Sequence, residues 1–268
     1  MLRVLFVTQD DPFYVPIFFR EFISILDDQE IEISGVVIQT PLGKKSNLRL
    51  VREMWDFYGA IDFLKLGWKY AFFKVLNYIA VVLCKGRFPG TFSLKHLLMK
   101  KGWNIINTRN VNSEEFLNNI QSGQVSLIVS VAASQIFKSP LLSAPRYGCI
   151  NIHNSRLPKN RGMLPNFWAL YHYDAEPLSA MTVHKMNDEL DGGQIILQEE
   201  FSLDPTQSLD QLIRKTKQMN AHLVLRAIQL FHHGEPTTMP NDASLATYNT
   251  FPKKADVDKF KAKGLKLL

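Results

Sequence analysis

The 268-residue sequence predicts an α/β fold, a mostly parallel sheet with helices on both faces and a helical insertion, and three observations carry that reading. Short β-branched runs alternate with stretches of helical spacing from the first residues onward. One run, Val125 to Val131, is apolar enough to be a central strand covered on both faces. The residues best suited to chemistry fall where strands give way to loops, the place where open α/β sheets bind ligands.

In order, Arg3 to Val7 reads as a strand, Pro16 to Leu26 as a helix and Ile31 to Ile38 as a strand again. From about Pro41 to Gly90 the spacing turns helical, with Leu48, Val51, Trp55 and Tyr58 on one side. This insertion, residues 41–90, interrupts the sheet without ending it. Trp103 to Ile106 resumes the strands, followed by a helix from Ser113 to Ile120 and the central strand. Gly148 to Ile152 is the next strand, and a helix covers about Asn166 to His172. Met181 and Val183 then alternate with Thr182 and His184 in a further strand before Asp191-Gly-Gly193 turns the chain. Ser208 to His233 is a long helix, opened by a Ser208/Gln211 capping box and stopped by Gly234. The expected division is therefore a catalytic domain over 1–235 and a short carboxyl-terminal tail over 236–268.

Composition narrows the class. Hydrophobic residues at 46% and charged residues at 21% are ordinary globular usage, which excludes a disordered or fibrous chain. Cys84 and Cys149 are far apart in apolar surroundings, and Met1 to Val7 reads as a strand instead of a signal peptide, so a reducing cytoplasm is expected. Six lysines from Lys253 to Lys266 against Asp256 and Asp258 give the tail a net +4, read as a solvated helix face. Tyr70 to Cys84 is apolar but interrupted by Lys74 and Asn77, and falls short of the about 20 residues a membrane span needs. It reads as a buried or interface-seeking helix.

Asn151 and His153 stand two apart where a strand ends, so their polar ends point the same way. Forty positions after Asn151, the loop Asn187-Asp-Glu-Leu-Asp191-Gly-Gly193 places an acid beside glycines that permit close ligand approach. A carboxylate can fix the tautomer of a histidine, and an Asn amide can donate to a developing oxyanion. The remaining histidines, His184 among them, show no ligand spacing, and no metal is expected.

These segments, Asn151-Ile-His153, Ser155-x-Leu157-Pro158, Arg161-Gly162 and Leu190-Asp191-Gly-Gly193, resemble the signature of the folate-dependent formyltransferase family. The resemblance covers about Val125 to Phe231 well, the first 40 residues in pattern, and the insertion not at all. It implies a Rossmann-like formyltransferase fold, N10-formyltetrahydrofolate as one-carbon donor and an amine as acceptor. It also implies that Asn151 and His153 contact the formyl group and the amine, with Asn151 and a protonated His153 stabilising the oxyanion and Asp191 supporting proton transfer. Ala133, Ser134, Gln135, Ile136 and Phe137 match where relatives hold the pteridine ring through backbone groups. Asn187, Asp188, Glu189 and Leu190 would close over the same ring. Arg156 departs from the family pattern, in which an apolar residue is usual.

No motif names the acceptor. Among relatives, the tRNA enzymes carry an additional carboxyl-terminal domain, so an amino sugar on a nucleotide is the expected small-molecule partner and no nucleic acid is expected. Rival readings are another amine such as a hydroxylated ornithine or glycinamide ribonucleotide, a formyl-folate hydrolase, and a non-catalytic interaction module. The aromatic-rich insertion is expected to pack on the sheet or to form a homodimer contact, in preference to an acceptor lid or a membrane contact.

Overall fold

A computed structural model describes residues 1–27, 29–39, 47–83 and 93–268. Strand β1 (Leu2–Gln9), helix α1 (Val15–Ile25) and strand β2 (Ile31–Gln39) open the chain as the sequence predicts. Two helices of the insertion follow, α2 (Asn47–Tyr58) and α3 (Ala60–Tyr78), the latter ending in a π-helical turn at Ile79–Leu83. Residues 41–46 and 84–90 of the insertion, Cys84 included, lie outside the described residues. Then come α4 (Leu94–Lys101), β3 (Ile105–Ile106), α5 (Glu114–Ser122), β4 (Leu127–Val131), α6 (Ser139–Leu142) and β5 (Cys149–His153). The rest runs β6 (Arg161–Gly162), α7 (Pro165–Tyr171), β7 (Leu178–Lys185), β8 (Ile195–Ser202), α8 (Leu209–His232), β9 (Tyr248–Asn249) and α9 (Lys254–Ala262).

The main sheet has the order β3-β2-β1-β4-β5-β7-β8. Strands β3, β2, β1, β4 and β5 pair in parallel, whereas β7 and β8 join antiparallel to their neighbours. The chain runs outward from β1 and returns on its other side at β4, which makes a topological switch point there and opens a crevice at the carboxyl ends of the strands.

Alternation along β1 explains why the sheet is covered on both faces. Val4 and Phe6 point into a core with Phe18, Phe19 and Phe22 of α1 and Val224, Ile228 and Phe231 of α8. Leu5 and Val7 point the other way, onto Phe116 and Ile120 of α5 and Leu141 of α6. A third core gathers Phe167 and Leu170 of α7, Leu212 of α8, and Val257 and Phe260 of α9. The tail from 236 on is therefore part of the packed body. Its helix buries Phe260 completely, and its strand β9 pairs with β6.

The insertion corrects one expectation. Phe57 does enter the third core, at 2% exposure against Phe167 and Phe251. Helix α3, however, has no buried residue. Among the described residues its aromatic surface does not pack on the sheet, and one edge of the helix touches the body, where Phe73 and Tyr70 meet the ring of Phe13 beyond β1.

Candidate active site

Asn151 and His153 occupy the carboxyl end of β5, which pairs with β4 on one side and with β7 on the other. The antiparallel register puts His184 directly opposite Asn151. Asp191 arrives from the turn between β7 and β8 with a left-handed φ of 51°. That turn is tight: a Cβ added at Gly193 would lie 1.8 Å from the Lys185 carbonyl oxygen, so only glycine fits there. Three side chains expected to converge do converge, and a fourth, His184, joins them.

Asp191 is the hub. Its Oδ2 accepts the Gly162 N–H at 2.9 Å and lies 3.6 Å from His153 Nδ1, while its Oδ1 lies 3.5 Å from Asn151 Nδ2 and 3.6 Å from His184 Nε2. Burial opposes its charge, but His153, His184 and the Gly162 N–H outweigh that and hold its carboxyl at about 2, so it is ionised at neutral pH.

The hydrogen bonds assign the tautomers. A carbonyl oxygen can only accept, so His153 Nε2 carries hydrogen toward the Asn160 carbonyl at 2.9 Å and Nδ1 is the bare nitrogen facing Asp191. By the same logic His184 donates from Nδ1 to the Lys185 carbonyl at 2.8 Å and accepts from Asn151 Nδ2 at 3.2 Å. Burial pushes the His153 imidazole below its ordinary value despite the pull of Asp191, so the ring rests neutral. This revises the expected starting state: the resting histidine is a proton acceptor at Nδ1, and Asn151 is the donor ready for an oxyanion. One Asn151 amide hydrogen is committed to His184, and the other is held only weakly by Asp191.

A shell of residues fixes this corner: Arg161 and Gly162 of the motif, and Tyr248 and Asn241, which sequence reasoning missed. Arg161 is fully buried, with Nη1 donating to Tyr248 Oη at 2.8 Å and Nη2 to Asn241 Oδ1 at 2.9 Å. Asn241 Nδ2 in turn donates to the carbonyls of Asp191 and Gly193 at 2.8 and 2.9 Å. Gly162 is equally constrained, because a Cβ there would meet the Asn249 carbonyl oxygen at 2.2 Å. The strand alternation around His184 was a usable signal; nothing in the sequence marked Asn241. Arg156, the departure from the family pattern, reaches outward to Glu200 at 2.6 Å.

The segment Ala133 to Phe137 follows β4 and is braced from its neighbours. Gln39 Oε1, at the end of β2, accepts the Ser134 N–H at 2.8 Å, and Asn112 Nδ2 donates to the Ile136 carbonyl at 2.9 Å. Gln39 Nε2 is buried beside this loop without a hydrogen-bond partner among the described residues. Ile136 is 78% exposed, and Leu190 on the Asn187 to Leu190 loop is 55% exposed. A buried spare donor and two bare apolar side chains fit a flat heteroaromatic ring with polar edges.

A family model described as formyl transferase matches residues 88–228. The chain belongs to the formyl transferase family. Among curated relatives, it is 31% identical to the methionyl-tRNA formyltransferase of Thermotoga neapolitana over 207 residues, covering 75% of this chain and 66% of that protein. The chain thus spans just under two thirds of that relative's length. Among solved structures, a sugar N-formyltransferase from a Shewanella species aligns with TM-score 0.55 at 20% identity, covering 98% of this chain and 79% of that one. The N-formyltransferase from Helicobacter canadensis, in complex with folinic acid and dTDP-3-aminofucose, aligns with TM-score 0.56 at 14% identity, covering 93% and 71%. At those identities the structural likeness establishes the shared fold.

Proposed function

We propose that this chain transfers a formyl group from N10-formyltetrahydrofolate to an amine carried by a nucleotide-linked sugar, in the cytoplasm. The observation that carries the reading is the convergence of Asn151, His153 and His184 on the one buried carboxylate of Asp191 in a member of this family. Bound formyl-folate supplies an electrophilic formyl carbon and a nitrogen leaving group. Every proton and hydrogen-bond role then falls to the chain. His153 Nδ1 takes the proton from the attacking amine, Asp191 stabilises the imidazolium so formed, and that proton would pass on to the leaving nitrogen as its bond to the formyl carbon breaks, which returns His153 to its neutral state. Asn151 Nδ2 donates to the formyl oxygen as it gains charge, while His184 keeps that amide oriented. The backbone of Ala133 to Phe137 and the Asn187 to Leu190 loop would hold the ring of the donor.

Two acceptor classes have support. The aligned structures named above are sugar N-formyltransferases by title or carry an amino-sugar nucleotide, which favours the sugar. The curated relative acts, by its name, on methionyl-tRNA, which favours the second reading. An absorbance assay with formyl-folate and a panel of amino-sugar nucleotides and charged tRNA separates them, and mass spectrometry of the product names the acceptor. Turnover without any acceptor would mark a hydrolase. No turnover with any member of the panel would leave an interaction module.

A further inference from the structure

Helix α3 carries an apolar stripe that no described residue buries. Ile61, Leu64, Trp68, Phe72 and Val75 recur at helical spacing on one face and are 71, 65, 79, 54 and 58% exposed. The opposite edge rests on the loop after β1 through Phe13 and through Lys74, which pairs with Asp10 at 3.3 Å. The one acid of α3, Asp62, pairs with Lys65 at 3.4 Å, and the Lys65 side chain is 68% exposed at the margin of the stripe. An uninterrupted apolar face of this kind marks a contact surface.

Charge decides what that surface meets. Residues 41–90 hold nine Lys and Arg against three Asp and Glu, a net +6. That equals the formal charge of the whole chain, so the remaining residues balance at 22 of each sign. Two copies brought together through this segment would oppose +6 with +6. An anionic surface is the complement of so basic a segment, and a helix with an apolar stripe and an exposed lysine at its margin can lie in the plane of such a bilayer. No described helix is long and apolar enough to cross a membrane.

We propose that α3 docks this protein on anionic lipid bilayers, with Trp68 and Phe72 seated among the acyl chains and Lys65 at the headgroups. This does not depend on the catalytic reading, and its test has no enzymatic readout. The full chain is sedimented with vesicles of phosphatidylcholine containing about one third phosphatidylglycerol, and with pure phosphatidylcholine. Partitioning onto the anionic vesicles at least tenfold above the neutral ones is expected, falling with added salt. The double variant Leu64→Glu, Phe72→Glu should lose tenfold or more, and Lys65→Gln about fivefold, one near-surface charge. Circular dichroism melts confirm that each variant is folded. Equal partitioning of wild type and double variant would overturn the proposal. So would a wild-type dimer in sedimentation velocity that the double variant breaks, with no binding to either vesicle.

Discussion

The corner around Asp191 and the helix α3 invert each other's relation to water. At the corner, polar and charged groups are hidden: Arg161 is 0% exposed, His184 2% and His153 7%. On α3 apolar groups stand in solvent, with Trp68 at 79%. Hidden polar atoms are costly unless they find partners, and both Arg161 Nη atoms and the Asp191 carbonyl find theirs through Tyr248 and Asn241, while Arg161 Nε has none among the described residues. The exposed stripe obeys no such internal constraint, since its side chains satisfy nothing within the chain. What must be held in one geometry is locked by hydrogen bonds, and what must meet something outside is left bare.

Substitutions should expose that contrast in graded steps. The largest effect belongs to the corner. His153→Ala and Asp191→Asn are each expected to lower kcat by a hundredfold or more in protein that circular dichroism shows to be folded, because a positioned acid or base contributes about 10² to 10⁴. Activity within threefold of wild type for both would remove the site assignment. Next comes Phe57→Ala, the insertion residue that does enter a core, which should destabilise the fold by about 3 to 5 kcal/mol in urea titration. A loss as small as that of a surface residue would mean that the insertion is not anchored through its ring.

The pH response sharpens the same contrast. The His153 pKa is lowered in the folded chain from the ordinary 6.5, so the unfolded chain binds its proton first as pH falls. Its contribution is complete above pH 6.5 and declines as pH falls toward the folded value. Asp191 adds stability that persists above its ordinary 3.8 and is lost as pH drops through about 2. Urea midpoints should therefore be lower at pH 5 than at pH 7.5, and His153→Gln should flatten that difference. Turnover should show an acid limb below pH 6.5, where the base becomes protonated. The smallest effect is expected from Leu64→Glu with Phe72→Glu, within about 0.5 kcal/mol of wild-type stability by the same titration, because exposed side chains contribute little to folding.

Legibility in the sequence followed the same division. Strands β1, β2, β4 and β5 and helix α8 announced themselves, since apolar period and the Ser208/Gln211 capping box are local signals. The trio Asn151, His153 and Asp191 was legible because a strand end and a glycine turn are both local too. Strand β8 was missed: its residues from Gln198 to Glu200 expose a polar face at the sheet edge. Strand β9 was missed because two residues carry no period. His184 was seen as part of a strand, but its place opposite Asn151 depends on the register between β5 and β7, which only the folded sheet sets. The stripe on α3 was not singled out in the sequence, where the aromatic-rich insertion was expected to pack on the sheet or on a second copy; among the described residues the body meets one edge of that helix.

The pairing of β6 with β9 has a temporal meaning as well. A ribosome delivers Arg161 80 residues before Asn241 and 87 before Tyr248, so once Gly193 is made there is an interval in which the motif is complete in sequence while the guanidinium lacks both partners and the Asp191 turn lacks its brace. A nascent chain paused at residue 235 carries every signature residue and none of the groups from the tail that lock them. The brace on this corner is therefore complete only once the strand at Tyr248–Asn249 has paired with Arg161–Gly162.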